Sequence, residues 1–216
     1  MLNITYYGGS CFRITERGHT SVLTDPHLPG DQLAALQLKA DLVTLSHTAE
    51  ARQLAHIRDR QYTITGAGEY EVGELFVTGL PLHRYDEDSA RALHNVAYIL
   101  EYPNSLTLLH LGALNAPPDL SIAEQLDEVH AFMLPIGGER LSDDQMADLI
   151  SAIEPTFVIP MRHAGLPVAD YPKALEGFLK AMGAGELAEQ DSLRFSASSL
   201  PDTTQIVLLR ANQSKT

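Results

Sequence analysis

Between Ala40 and Arg52 the chain reads ADLVTLSHTAEAR. An apolar run from Asp41 to Leu45 ends in Ser46-His47 and passes into a segment of helix-forming composition. A strand that hands a histidine to the loop at its carboxyl end is a common way to build a metal or catalytic site. The stretch therefore asks for a sheet whose edge collects functional side chains, with His47 as the first of them.

The flanking segments supply that sheet. Leu2 to Tyr7, Cys11 to Thr15 and Thr20 to Thr24 are short and β-rich, and Gly8-Gly9 and Arg17-Gly18 separate them, which predicts an antiparallel meander closed by Asp25-Pro26. Asp31 to Lys39 has helical composition, and Thr48 to Arg58 predicts a helix capped by Thr48. Two strand pairs are expected next, Tyr62 to Ile64 with Glu74 to Thr78, and Val96 to Tyr102 with Leu106 to Leu111. From Ile122 helices and strands alternate: a helix to about Glu128, a strand Ala131 to Pro135, and a helix Asp143 to Ile153 capped by Ser142. A strand Thr156 to Pro160, a helix Pro172 to Met182 and strands Leu193 to Ser196 and Gln205 to Leu209 complete the pattern. Two β-rich blocks with accompanying helices predict two sheets packed face to face with helices outside. We expect one domain over residues 1–210 and a frayed tail over 211–216.

Composition narrows the function classes. At 216 residues and 44% hydrophobic, the chain buries a substantial core. Fifteen basic against 28 acidic residues give a net charge of -13, which argues against nucleic acid and anionic membrane as partners, so any anion site must be local. No apolar run approaches the length of a membrane span and MLNITYYGG is not a signal peptide, so a cytoplasmic protein is expected. The single cysteine, Cys11, excludes an internal disulfide and a Cys-rich zinc cluster, and its apolar flank predicts an ordinary buried thiol. Nothing in the sequence distinguishes a monomer from a homo-oligomer.

Six ordered blocks carry a resemblance. ITYYGGSCFRI with Thr24-Asp25-Pro26, GAGEYEVGELFVTGLP (Gly66 to Pro81), NVAYILEY (Asn95 to Tyr102), HLGAL (His110 to Leu114), LPIGG (Leu134 to Gly138) and EPTFVIPM (Glu154 to Met161) are similar to the ascorbate-6-phosphate-lactonase-like branch of the metallo-β-lactamase superfamily, a branch of predicted zinc-dependent hydrolases. The resemblance implies a four-layer αββα sandwich of class α/β with metals at one rim.

Carried over position by position, the family's metal ligands are mostly replaced. In the Ser-His-x-His-x-Asp-His loop only Ser46 and His47 match, and Ala49, Ala51 and Arg52 stand at the other ligand positions. Arg84, Ala113 and Arg162 stand where the resemblance places a histidine, a bridging aspartate and a histidine, and Gly9 replaces the histidine before Ser-Cys-Phe. In the family the aspartate at the position of Asp25 sits behind the metal loop and orients it, and a simple turn aspartate before Pro26 is the other reading. The resemblance with these substitutions implies no metal cofactor and no metallohydrolase activity. The former metal site, His47, Arg52, Arg84, Arg162 and Asp25, would instead take a small anionic ligand, because guanidinium groups offer forked donors to phosphate or carboxylate. A partner chain is the other occupant considered.

The alternative is a zinc-dependent hydrolase of a small ester, lactone or phosphoester that uses a displaced site of His47, His83 and His163. It requires two bulges, since a one-residue shift along a strand turns a side chain to the opposite face. His19, His27, His56 and His130 carry no spacing signal, and His94 and His110 are expected to be local hydrogen-bonding groups. No histidine-carboxylate pair is expected beside Ser10, Ser46 or Thr48 to activate a hydroxyl.

Overall fold

The computed structural model describes the chain except residues 29–30, 48–53, 86–91, 119–121, 124–125, 139, 164 and 214–216 and the side chains of residues 84, 85, 92 and 93. Two sheets form. The first holds β1 (Leu2–Gly8), β2 (Cys11–Glu16), β3 (Val22–Thr24), β4 (Leu42–Thr44), β5 (Tyr62–Ile64) and β12 (Leu193–Phe195), in the order β12-β1-β2-β3-β4-β5. The second holds β6 (Gly68–Val72), β7 (Leu75–Tyr85), β8 (Ala92–Tyr102), β9 (Leu106–His110), β10 (Ala131–Ile136), β11 (Phe157–Arg162) and β13 (Gln205–Ile206), in the order β13-β11-β10-β9-β8-β7-β6.

Strand periodicity explains the packing. In β1, Leu2, Ile4 and Tyr6 share one face. They pack with Phe12 and Ile14 of β2 against Val77, Val96, Tyr98, Leu100, Met133 and Ile159 of the second sheet. The opposite faces are covered too. Tyr7, Cys11, Leu23, Val43 and Leu45 pack on Leu33 and Leu36 of the short helix α1 (Gln32–Leu36). Phe132, Leu134 and Val158 pack on Met146, Leu149 and Ile150 of α2 (Asp143–Ile153) and on Phe178 of α3 (Tyr171–Ala181). The layers are therefore αββα. Burial on both faces is why β10, AFMLPI, reads as a continuous apolar run. Among the described residues no helix is long and apolar enough to cross a membrane.

Most element expectations are met. The meander β1-β2-β3 is antiparallel, β8 pairs with β9, and α2 opens on Ser142 with a capping box to Gln145. Cys11 is fully buried, and burial pushes its thiol well above the ordinary range, as expected of an inert core sulfur. One pairing is corrected. Tyr62–Ile64 lies parallel to β4 in the first sheet, while the segment from Leu75 pairs with Gly68–Val72 in the second. The two-residue turn Gly73-Glu74, with Gly73 at φ 64°, makes that hairpin local, and a local hairpin outcompetes a distant partner. The expected helix at Thr48 lies largely outside the described residues. At Ile122 and Ala123 the chain makes a 3-10 turn. Near the carboxyl end, Asn212 N donates to Tyr6 O at 2.8 Å.

Candidate functional site

Strands β3 and β4 run parallel with Thr24 directly beside Thr44, so both chains leave the sheet at the same rim. Asp25 continues the ladder by one bond, its N–H donating to Thr44 O at 2.9 Å. It then turns with φ 33°, a conformation that a short polar side chain tolerates. Three residues beyond Thr24 and Thr44, His27 and His47 stack ring on ring, their centroids 4.4 Å apart and their planes 24° from parallel.

Asp25 is 1% exposed, and Ser46 holds its carboxylate. Its Oδ1 accepts from Ser46 N at 2.7 Å and its Oδ2 from Ser46 Oγ at 2.5 Å. Burial pushes this carboxyl up to about 7, against the two Ser46 bonds that pull it down. The Ser46 hydroxyl has one proton, and with that proton on the 2.5 Å bond the oxygen accepts from His47 Nδ1, 3.0 Å away. The chain Asp25-Ser46-His47 thereby orients the His47 ring. Ser46 does lie between a carboxylate and an imidazole, which the sequence did not suggest. It is 0% exposed, however, so it orients groups and does not meet a substrate.

Other loops close over this pair. Gly112, at φ 67°, follows β9, and a Cβ there would lie 2.2 Å from Ser46 Cβ, so only glycine fits. Asn95 ties the same loop down, donating to Leu111 O and accepting from Ala113 N, each at 3.0 Å. His110 is fully buried and donates from Nε2 to Ser10 O at 3.0 Å. Its Nδ1 has no hydrogen-bond partner among the described residues, and burial pushes its pKa down to about 4, so the ring is neutral.

The expected site residues fare unequally. Asp25, His47 and Arg162 are at the rim. The Arg162 guanidinium donates to Leu166 O and, at 3.4 Å, to His163 O, and its Nη2 is 3.9 Å from the point where a Gly9 Cβ would sit. Arg52 lies outside the described residues, and Arg84 has only its backbone described, opposite Leu93. The convergence of three arginines is thus represented by Arg162.

For the displaced zinc set, His83 is exposed on β7 opposite His94, and the buried His163 accepts from Gly165 N at 3.2 Å. The donor group that does form around His47 is Asp25, His27 and His47, with ligand atoms all within 4.8 Å of one another. His27 is the residue that the sequence did not single out. The signal was present in the repeat of Thr24-Asp25-Pro26-His27 by Thr44-Leu45-Ser46-His47, which becomes readable once the two threonines are paired.

Two nitrogens and one carboxylate oxygen suit a single divalent transition metal ion. A shared ion would require the two rings to open from their stack. At the same rim Ala113 has no donor atom and Arg162 brings a cation of its own.

A profile of the beta-lactamase superfamily domain matches residues 3–162, and the chain belongs to that superfamily. A UPF0173 metal-dependent hydrolase of Carboxydothermus hydrogenoformans is 26% identical, covering 86% of this chain and 99% of the relative. Another, of Koribacter versatilis, is 24% identical over 86% and 95%. Among solved structures, a candidate zinc-dependent hydrolase of the metallo-β-lactamase superfamily from Thermotoga maritima superposes with a TM-score of 0.70 at 22% identity, covering 97% of this chain and 98% of that one. The metallo hydrolase Igni18 of Ignicoccus hospitalis gives 0.62 at 17% identity, over 90% and 99%. These structural likenesses bear on the fold, and they agree with the αββα layers described above.

Proposed function

We propose that this chain keeps the superfamily scaffold and uses its rim to bind a small anionic ligand, without two-metal hydrolysis. The observation that carries the proposal is Arg162. Its half-buried guanidinium ends β11 at the rim, and no carboxylate among the described residues lies within ion-pair distance. A half-buried cation gains from a nearby counter-charge, and a bound anion would supply one. The test is thermal stabilisation by inorganic phosphate in the unmodified protein and in Arg162→Ala. The proposal expects a rise in Tm that the variant loses. Equal responses, or none, would remove it.

A second reading is metal-dependent hydrolysis of a small ester, lactone or phosphoester, favoured by the grouping of Asp25, His27 and His47 and by the names of the relatives. A metal ion there would supply a deprotonated water and polarise the scissile oxygen. In that reading Ser46 orients Asp25 and His47, and the two imidazoles with the carboxylate hold the ion. Metal content separates the readings.

A further inference from the structure

Gly9 also borders a cavity of about 370 Å³ that none of Asp25, His27 and His47 lines. It lies between the β1-β2 turn, the start of α1, the end of β11 and the carboxyl-terminal segment. Among the described residues its one cation is Arg162. A water molecule takes up about 30 Å³ of liquid, so a bare inorganic anion on Arg162 would leave most of this space unfilled. The volume falls instead in the range of pockets that take organic ligands.

The walls define the rest of the ligand. Tyr6 and Tyr171 line the cavity with their hydroxyls already committed, Tyr6 donating to Gly9 O at 3.0 Å and Tyr171 to Pro160 O at 3.2 Å. The Tyr6 ring packs on Phe12 in the core, so the half-buried Tyr171 offers the ring surface, and Leu28 adds an aliphatic wall. Among the described residues Glu189 is the one carboxylate on the lining, and Arg210 holds it at 3.3 Å. A second negative charge on the ligand would meet Glu189, so a monoanion suits the cavity better than a dianion.

We infer that this cavity binds a small aromatic monocarboxylate, its carboxylate on the Arg162 guanidinium and its ring against Tyr171 and Leu28. The inference rests on the anion-binding reading of Arg162 and adds the ligand class. A guanidinium and a carboxylate make paired hydrogen bonds, and aromatic rings pack edge to face or offset on tyrosine.

Calorimetric titration with benzoate, phenylacetate, neutral benzamide and inorganic phosphate tests it. The two carboxylates should bind at least about tenfold more tightly than benzamide, a difference of about 1.4 kcal/mol. Arg162→Ala and Arg162→Gln should each weaken the carboxylates by about tenfold or more. Val168, 68% exposed on the cavity lining, gives an independent variant whose folding is not at stake. Val168→Trp should exclude the carboxylates and leave the phosphate response unchanged. If phosphate binds and the carboxylates do not, the cavity assignment is overturned while the anion reading stands. If neither binds, both fall. Carboxylate binding that survives both the Arg162 and the Val168 variants places the ligand elsewhere and overturns the inference.

Discussion

His27 and His47 stack 4.4 Å apart because each lies three residues beyond a threonine, and Thr24 and Thr44 sit side by side in parallel strands. The rim inherits its geometry from the register of the sheet. Beneath the pair, Asp25 is held by Ser46, the residue before His47.

That hold makes Asp25 structural. Asp25→Ala would leave Ser46 N–H and hydroxyl buried without their acceptor, and we expect a loss of roughly 3 kcal/mol in urea unfolding. Asp25→Asn keeps one acceptor and should cost less. The variants also carry a pH signature. The folded carboxyl keeps its proton up to about 7 while the unfolded one releases it near 3.8, so this residue makes stability fall as pH rises between those values. Asp25→Asn should abolish that fall, and a slope unchanged in the variant would show that Asp25 ionises normally.

His110 acts in the opposite direction. Its ring stays neutral in the fold down to about pH 4, whereas the unfolded chain binds the proton near 6.5. Stability contributed here is complete above 6.5 and is lost as pH falls toward 4. Melting temperatures of His110→Gln between pH 4 and 8 should decline less on the acid side than those of the unmodified protein. Because the Asp25 and His110 effects oppose each other across the shared window, only the single variants resolve them.

Gly112→Ala tests the closure of the β9 loop on Ser46. The added Cβ meets Ser46 Cβ at 2.2 Å and sits on a residue with φ 67°. We expect roughly 3 kcal/mol of destabilisation by denaturant titration. Ser46→Gly should relieve the contact part of it in the double variant, and an undisturbed Gly112→Ala would contradict the described packing.

The layers were legible in the sequence because periodicity reports burial. Leu2, Ile4 and Tyr6 alternate, Met146, Leu149 and Ile150 recur at helical spacing, and Ser142 with Gln145 marks a helix start. What was not legible depended on pairing. Tyr62–Ile64 was expected beside Glu74–Thr78, since both look β-rich and the intervening Gly68–Val72 has a glycine and two glutamates that disguise a strand. His27 was passed over for the same reason. A histidine after Asp25-Pro26 has no spacing to His47 along the chain and acquires one only across the strand ladder.

Metal content tests the central claim most directly. After growth in added zinc and exhaustive dialysis, elemental analysis of the unmodified protein should find far less than one ion per chain, and His47→Ala should change nothing. About one ion or more per chain, lost in Asp25→Asn and His27→Ala as well as in His47→Ala, would contradict the account and make the rim a metal centre.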